Sequence, residues 1–147
     1  MTVVRNKKAH LDYAFLETFE AGLELMGIEV KSLRAGRGNL EGARVVARGG
    51  EAYLVGATIP PYQTGNTPKD YDPERTRRLL LKQDEIACIA AAEGAKGLTV
   101  VPISVYNKGR NLKLEIAIAR GKKQYDKRQD LKKREAKRAA ERTLKTN

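Results

Sequence analysis

The chain has one cysteine, Cys88, one histidine, His10, two phenylalanines and no tryptophan. A single cysteine excludes an internal disulfide framework and fits a reducing compartment. No His/Cys group has metal-ligand spacing, which argues against a structural zinc. A Ser/His/Asp or Cys/His catalytic site would have to use His10, which lies in a basic, polar N-terminal arm 78 residues from Cys88. Cys88, in the run 79–90, reads as an ordinary buried small residue. No stretch approaches the ~20 apolar residues of a membrane-spanning helix. The segment MTVVRNKKAH has no apolar signal core, so a cytoplasmic location is expected. No glycine loop ends in Lys-Ser/Thr to cradle phosphate. Gly-Arg-Gly at 36–38 reads as a helix terminator followed by a turn.

The 147 residues suffice for one compact domain with an ordinary core. The net charge is +11 and unevenly spread. Residues 1–12 carry three basic and one acidic side chain, residues 13–120 carry 15 and 13, and residues 121–147 carry 11 and 4. The body is nearly balanced, and the last 27 residues hold most of the excess. Basic tails of this kind usually meet nucleic acid. A membrane-surface helix would need a face of large apolar residues, and this segment offers only Leu131, Leu144 and Tyr125. It is rich in helix formers but cannot bury an apolar stripe. It is therefore expected to be disordered alone and to fold on a polyanionic partner.

Within the body, residues 13–19 read as a first strand with imperfect alternation. Residues 21–35 read as a helix carrying Leu23, Met26, Val30 and Leu33, with Gly27 in its middle. Val45–Ala47 and Tyr53–Val55 flank Gly49-Gly50 and predict a hairpin. The prolines of 60–73 mark a loop. Asp72-Pro73-Glu74 reads as a helix start, leading into Leu79, Leu80, Leu81, Ile86 and Ile89. Leu98–Tyr106 and Asn111–Ala119 form a second hairpin, with Leu112, Leu114, Ile116 and Ile118 on its buried face. At least five strands and two helices suit a small, partly closed β-barrel with flanking helices. An open α+β sheet is the alternative.

Arg75, Arg77 and Arg78 crowd the expected helix start. Lys122, Lys123, Lys127 and Arg128 surround Tyr125 after the last strand. Basic side chains beside an aromatic neutralise phosphate and stack on bases. By charge alone, Glu20 and Glu24 read as solvated, although a carboxylate beside a basic surface can accept from base amino groups or a ribose hydroxyl. The enzymatic alternative is a metal nuclease using Asp12, Glu29 and Lys31; a structural ribosomal protein is a third reading.

The stretches 6-NKKA-9, 17-ETFEAGLELMGIEVKSLRAGRGNL-40, 71-YDPERTRRLLL-81, 97-GLTVVPISVY-106 and 119-ARGKKQYDKR-128 resemble the SmpB family, the tmRNA-binding (SsrA-binding) proteins of bacteria. The resemblance runs from Asn6 into the tail. It implies an OB-like barrel over residues 1–120, with a tail over 121–147 that becomes helical on the ribosome. It implies no cofactor, no metal, no enzymatic step and a monomer. The implied partners are the tRNA-like domain of tmRNA, elongation factor Tu with GTP, and the ribosome's decoding centre and mRNA channel. The family's tmRNA-contact acid falls on Glu20 and its apolar contact on Leu80. Its polar neighbour, often Asn or His, falls on Lys82. Ribosome contacts fall on Gly121, Lys122, Lys123, Tyr125, Asp126, Lys127, Arg128 and, late in the tail, Leu144. The decoding-centre histidine position, two residues before the first-strand tyrosine, falls on Leu11, and the histidine stands one residue earlier, at His10.

Overall fold

The computed structural model describes residues 1–63, 65, 67–122, 134–136 and 138. Of the expected tail contacts, Lys123, Tyr125, Asp126, Lys127, Arg128 and Leu144 lie outside the described residues, as does the expected disorder of the tail.

The N-terminal arm is ordered structure rather than loose chain. Strand β1 (Thr2–Arg5) is followed by helix α1 (Lys7–Asp12). Asn6 makes that turn possible. Its side-chain oxygen accepts from the Ala9 N–H at 3.1 Å, and its Nδ2 donates to the carbonyls of Leu40 at 3.2 Å and Pro102 at 2.9 Å. Asn6 is thus an N-cap and also a buried fastener between arm and body.

Strand β2 (Tyr13–Leu23) is longer than expected and contains a bulge. Phe15 pairs with Ala119 and Glu17 with Ile118, so Leu16 is the extra residue. An extra residue exchanges the two faces of the strand beyond it. Phe15 accordingly packs with Ala9, Val101 and Ala119, whereas Phe19 and Ala21 join the main core. This accounts for the imperfect alternation in the sequence.

The expected helix 21–35 shortens to α2 (Gly27–Arg34), because Ala21–Leu23 complete β2. Gly27 is the first helical residue, not a mid-helix weakness. The Gly49-Gly50 hairpin forms between β3 (Arg44–Arg48) and β4 (Glu51–Val55), both glycines having positive φ, 59° and 77°.

Asp72-Pro73-Glu74 opens a turn rather than a helix: the Asp72 side chain accepts from Glu74 N–H at 2.9 Å. The following residues form strand β5 (Arg77–Leu80), paired to β4 and to the end of β2. Leu79 points into the core and Leu80 outward, the signature of a strand. Helix α3 begins after Lys82 and spans Gln83–Gly94, its first turn capped by the Glu85 carboxylate accepting from Lys82 N–H at 2.9 Å. Cys88 lies on its exposed side, contrary to the buried reading.

Strands β6 (Leu98–Lys108) and β7 (Asn111–Gly121) form the second expected hairpin. The seven strands are antiparallel in the order β1-β6-β7-β2-β5-β4-β3. The ladder does not close, but the sheet curls until β3 approaches β6, and α3 lies against both. Leu33, Ile86 and Ile89 from the helices meet Leu54, Leu79, Leu114 and Ile116 from the sheet in one core. The chain is therefore mainly β with flanking helices, an OB-like sheet left open where α3 fits.

Candidate nucleic-acid interface

Antiparallel register assigns each side chain to a face. Ala21, Leu79 and Leu114 point inward. Glu20, Gly22, Leu80, Lys113, Glu115 and Tyr106 therefore share the outer face, where Leu80 pairs with Gly22, Gly22 with Lys113, and Lys113 with Tyr106. Gly22 lets Leu80 lie flat across β2: a Cβ there would come within 3.1 Å of the Leu80 Cβ. Leu80 remains 51% exposed.

The structure brings Glu20, Leu80 and Lys82 to one open cleft of about 340 Å3, walled also by Arg78 and Glu85. These three residues come from β2, β5 and the start of α3. They supply an anionic acceptor, an apolar contact and a cation. Glu20 is not simply solvated: Tyr106 donates its hydroxyl to Oε2 in a short hydrogen bond, and Lys108 Nζ donates to Oε1 at 2.9 Å. The Tyr106 bond, aided by Lys108, holds the Glu20 carboxyl below the usual range. Burial and the same bond push the Tyr106 hydroxyl well above its own.

A second, larger groove of about 940 Å3 adjoins β1, α1 and β6. Arg5, Lys7, His10 and Leu11 line it opposite Tyr106, and Arg134 and Arg138 reach it from the C-terminal segment. His10 packs edge-on against Phe15, ring centroids 5.1 Å apart. Burial, with Arg5 and Arg134 nearby, lowers its pKa, favouring the neutral imidazole. Gly121 pairs with Tyr13 at the end of the sheet. Lys122 donates its main-chain N–H to Asp12 O at 2.8 Å and its ammonium to His10 O at 3.3 Å. The structure thus sets Gly121 and Lys122 beside His10 and Leu11.

Of the three clustered arginines only Arg78 reaches the candidate cleft; Arg75 and Arg77 are committed to Glu29. Arg77 is 0% exposed. Its Nε and Nη2 donate to Glu29 Oε2 at 2.9 and 2.7 Å, and it also donates to the carbonyls of Ala57 and Pro73, each at 2.9 Å. Arg75 donates to both Glu29 oxygens. Arg78 pairs with Glu24 and Glu51. Burial alone would raise the Glu29 carboxyl, but Arg75, the Met26 N–H and Arg77 hold it below the ordinary range. Ser32 on α2 and Arg37 just beyond it extend this anchorage. Ser32 donates to Pro60 O at 2.6 Å, and Arg37 donates to Tyr62 O at 3.3 Å while lying over the Tyr62 ring. Glu29, through Tyr71, together with Ser32 and Arg37 fastens the proline-rich loop, a role the sequence reading missed.

The nuclease constellation does not assemble. Glu29 is enclosed by guanidinium groups, Lys31 is exposed on α2, and Asp12 lines a separate cleft below α1. Among the described residues, no group of three or more His, Cys, Asp or Glu side chains could hold a metal ion. No helix among them is long and apolar enough to cross a membrane.

The model of the SmpB protein family matches residues 3–146. An SsrA-binding protein of Thermosipho africanus is 47% identical over 146 residues, 99% of this chain and 97% of that protein. One from Gloeobacter violaceus is 48% identical over 142 residues, covering 97% and 93%. A solved structure described as "tmRNA-SmpB: a journey to the center of the bacterial ribosome" superposes with a TM-score of 0.69 at 41% identity, covering 82% of this chain and 84% of the other. The family match spans nearly the whole chain, body and tail together, and the chain belongs to the SmpB family.

Proposed function

We propose that the chain is an RNA-binding factor of ribosome rescue, active in the cytoplasm with no catalytic step of its own. It binds the tRNA-like domain of tmRNA and, with elongation factor Tu and GTP, delivers it to ribosomes stalled without a codon in the A site. The body, residues 1–120, takes the place of the missing codon–anticodon duplex. The segment from Gly121 enters the empty mRNA channel, with Lys122, Lys123, Tyr125, Asp126, Lys127, Arg128 and Leu144 as its contacts.

The observation that carries the reading is the convergence of Glu20, Leu80 and Lys82 in one cleft of a SmpB-family chain. RNA is recognised largely by shape, unstacked bases and the 2′-hydroxyl. Glu20 accepts from an amino or hydroxyl group, Leu80 packs on a base or sugar face, and Lys82 meets phosphate. A body with 15 basic and 13 acidic side chains over residues 13–120 has little general attraction for polyanions, so its recognition depends on this patch. The cationic tail adds affinity that falls with salt.

Fluorescence-anisotropy titration of the tRNA-like fragment of tmRNA, near physiological salt and with excess bulk tRNA, tests this. Tight binding that survives the competitor and weakens at least tenfold in Glu20→Ala supports it. Binding that any RNA competes away would replace it with the structural ribosomal-protein reading.

A further inference from the structure

We infer that Tyr106 and Lys108 are positioning residues for RNA recognition, clamping the Glu20 carboxylate so that its outward lone pairs select hydrogen-bond donors of the bound RNA. This rests on the function proposed above and extends it to residues outside the Glu20, Leu80 and Lys82 set.

Glu20 lies on β2 and Tyr106 and Lys108 on β6, with β7 between them. Both side chains of the β6 pair reach over β7 to grip the carboxylate, one at each oxygen. Directly across from Glu20 on β7 stands Glu115, and like charges in that position repel. An unheld Glu20 would swing away from Glu115 and sample several rotamers. The hydroxyl and the ammonium together offset the repulsion and fix one orientation.

A carboxylate has about four acceptor positions, so two internal donors leave capacity facing the cleft. Fixing the group beforehand removes an ordering cost that binding would otherwise bear. Lys108 also neutralises Glu20 locally, which keeps the carboxylate from repelling the RNA backbone. The triad contributes little to folding, since ion pairs this exposed are worth little. Tyr106 further lines the large groove while its hydroxyl reaches the acid of the smaller cleft, so it forms the ridge between them.

The test is a double-variant cycle read by anisotropy with the tRNA-like tmRNA fragment, and with bulk tRNA in parallel. Tyr106→Phe keeps the ring and deletes only the donor. It is expected to weaken binding of the fragment about fivefold, the ordering cost of one rotamer-rich side chain, and to leave bulk tRNA binding unchanged. In the Glu20→Ala background the same substitution is expected to cost less than twofold. Lys108→Met in the same cycle should follow the same pattern and decides the matter if Tyr106→Phe fails to fold. A twofold or smaller loss in the wild-type background would overturn the inference. So would an equal loss in both backgrounds, which would mean that Tyr106 acts independently of Glu20. If wild-type binding is unselective or indifferent to Glu20→Ala, the proposed function itself fails. If those two hold and Tyr106→Phe is silent, only the positioning role fails.

Discussion

Glu29→Gln is nearly isosteric, so it removes a charge without opening a cavity. In the native protein the Glu29 carboxylate is fully buried and accepts from Arg75, Arg77 and the Met26 N–H. Arg75 keeps partial access to water, but Arg77 does not. The amide of Gln would leave a buried guanidinium uncompensated and turn an N–H donor toward other donors. Breaking one partner of a buried pair costs about 3–5 kcal/mol, against a total stability of roughly 5–15 kcal/mol. At about 3 °C per kcal/mol for a chain of this size, the melting temperature should fall by about 10–15 °C. Urea unfolding of Glu29→Gln, Arg77→Met and the double variant measures it. The double variant should lose clearly less than the sum of the singles, although the Ala57 and Pro73 carbonyls still lose their donor. A loss below about 1 kcal/mol for Glu29→Gln, or strict additivity, would refute the reasoning. The pH dependence follows the same charge. The Glu29 carboxyl has its pKa lowered by folding from 4.5. Its stabilising contribution is therefore complete well above that value and drains away as pH falls through the lower, native value. Wild-type stability should decline on acidification below about pH 5, and Glu29→Gln should lack that part of the decline.

Gly22→Val should push Leu80 off the surface of β2, since even a Cβ would sit 3.1 Å from it; binding of the tRNA-like fragment should weaken several-fold while the chain stays folded by circular dichroism. Asn6→Ala removes the cap of α1 and leaves two buried carbonyls without a donor, so chemical denaturation should show a loss of about 1–3 kcal/mol. Truncation after Lys122, which keeps the last contacts between β7 and α1, should leave binding of the tRNA-like fragment largely intact and abolish peptide tagging on stalled ribosomes in a reconstituted translation assay.

Both hairpins were legible because each has a local cause: paired glycines that accept positive φ, and strict alternation of apolar residues in 112–118. The errors share a different cause. Leu23, Met26, Val30 and Leu33 repeat at helical spacing although Leu23 belongs to a strand and Met26 is exposed ahead of the helix; only Leu23, Val30 and Leu33 pack against the one core. Leu79 to Leu81 form a short apolar run that periodicity cannot assign; pairing with β2 and β4 decides it. At the candidate site, Glu20, Leu80 and Lys82 were named through family resemblance, and their convergence depends on strand order. The Tyr106–Glu20 bond joins residues 86 apart, beyond any local pattern. Arg75 and Arg77 looked like free positive charge because their common partner, Glu29, lies more than 40 residues earlier.

The bulge at Leu16 gives β2 a further property. Glu20, at the other cleft, lies seven positions after Tyr13, beside Gly121 and the His10 groove, and the ladder to β7 is continuous on both sides of the bulge. At about 3.3 Å per residue, less the one displaced by the bulge, this stretch is a rigid ruler of about 20 Å. Its length and its phase are set together. Deleting Leu16 would leave Phe15 opposite Ala119 and Glu20 opposite Glu115, so length and face are both held by the paired residues of the ladder to β7. Whatever is gripped at one end of β2 is thereby held at a constant distance from whatever is gripped at the other.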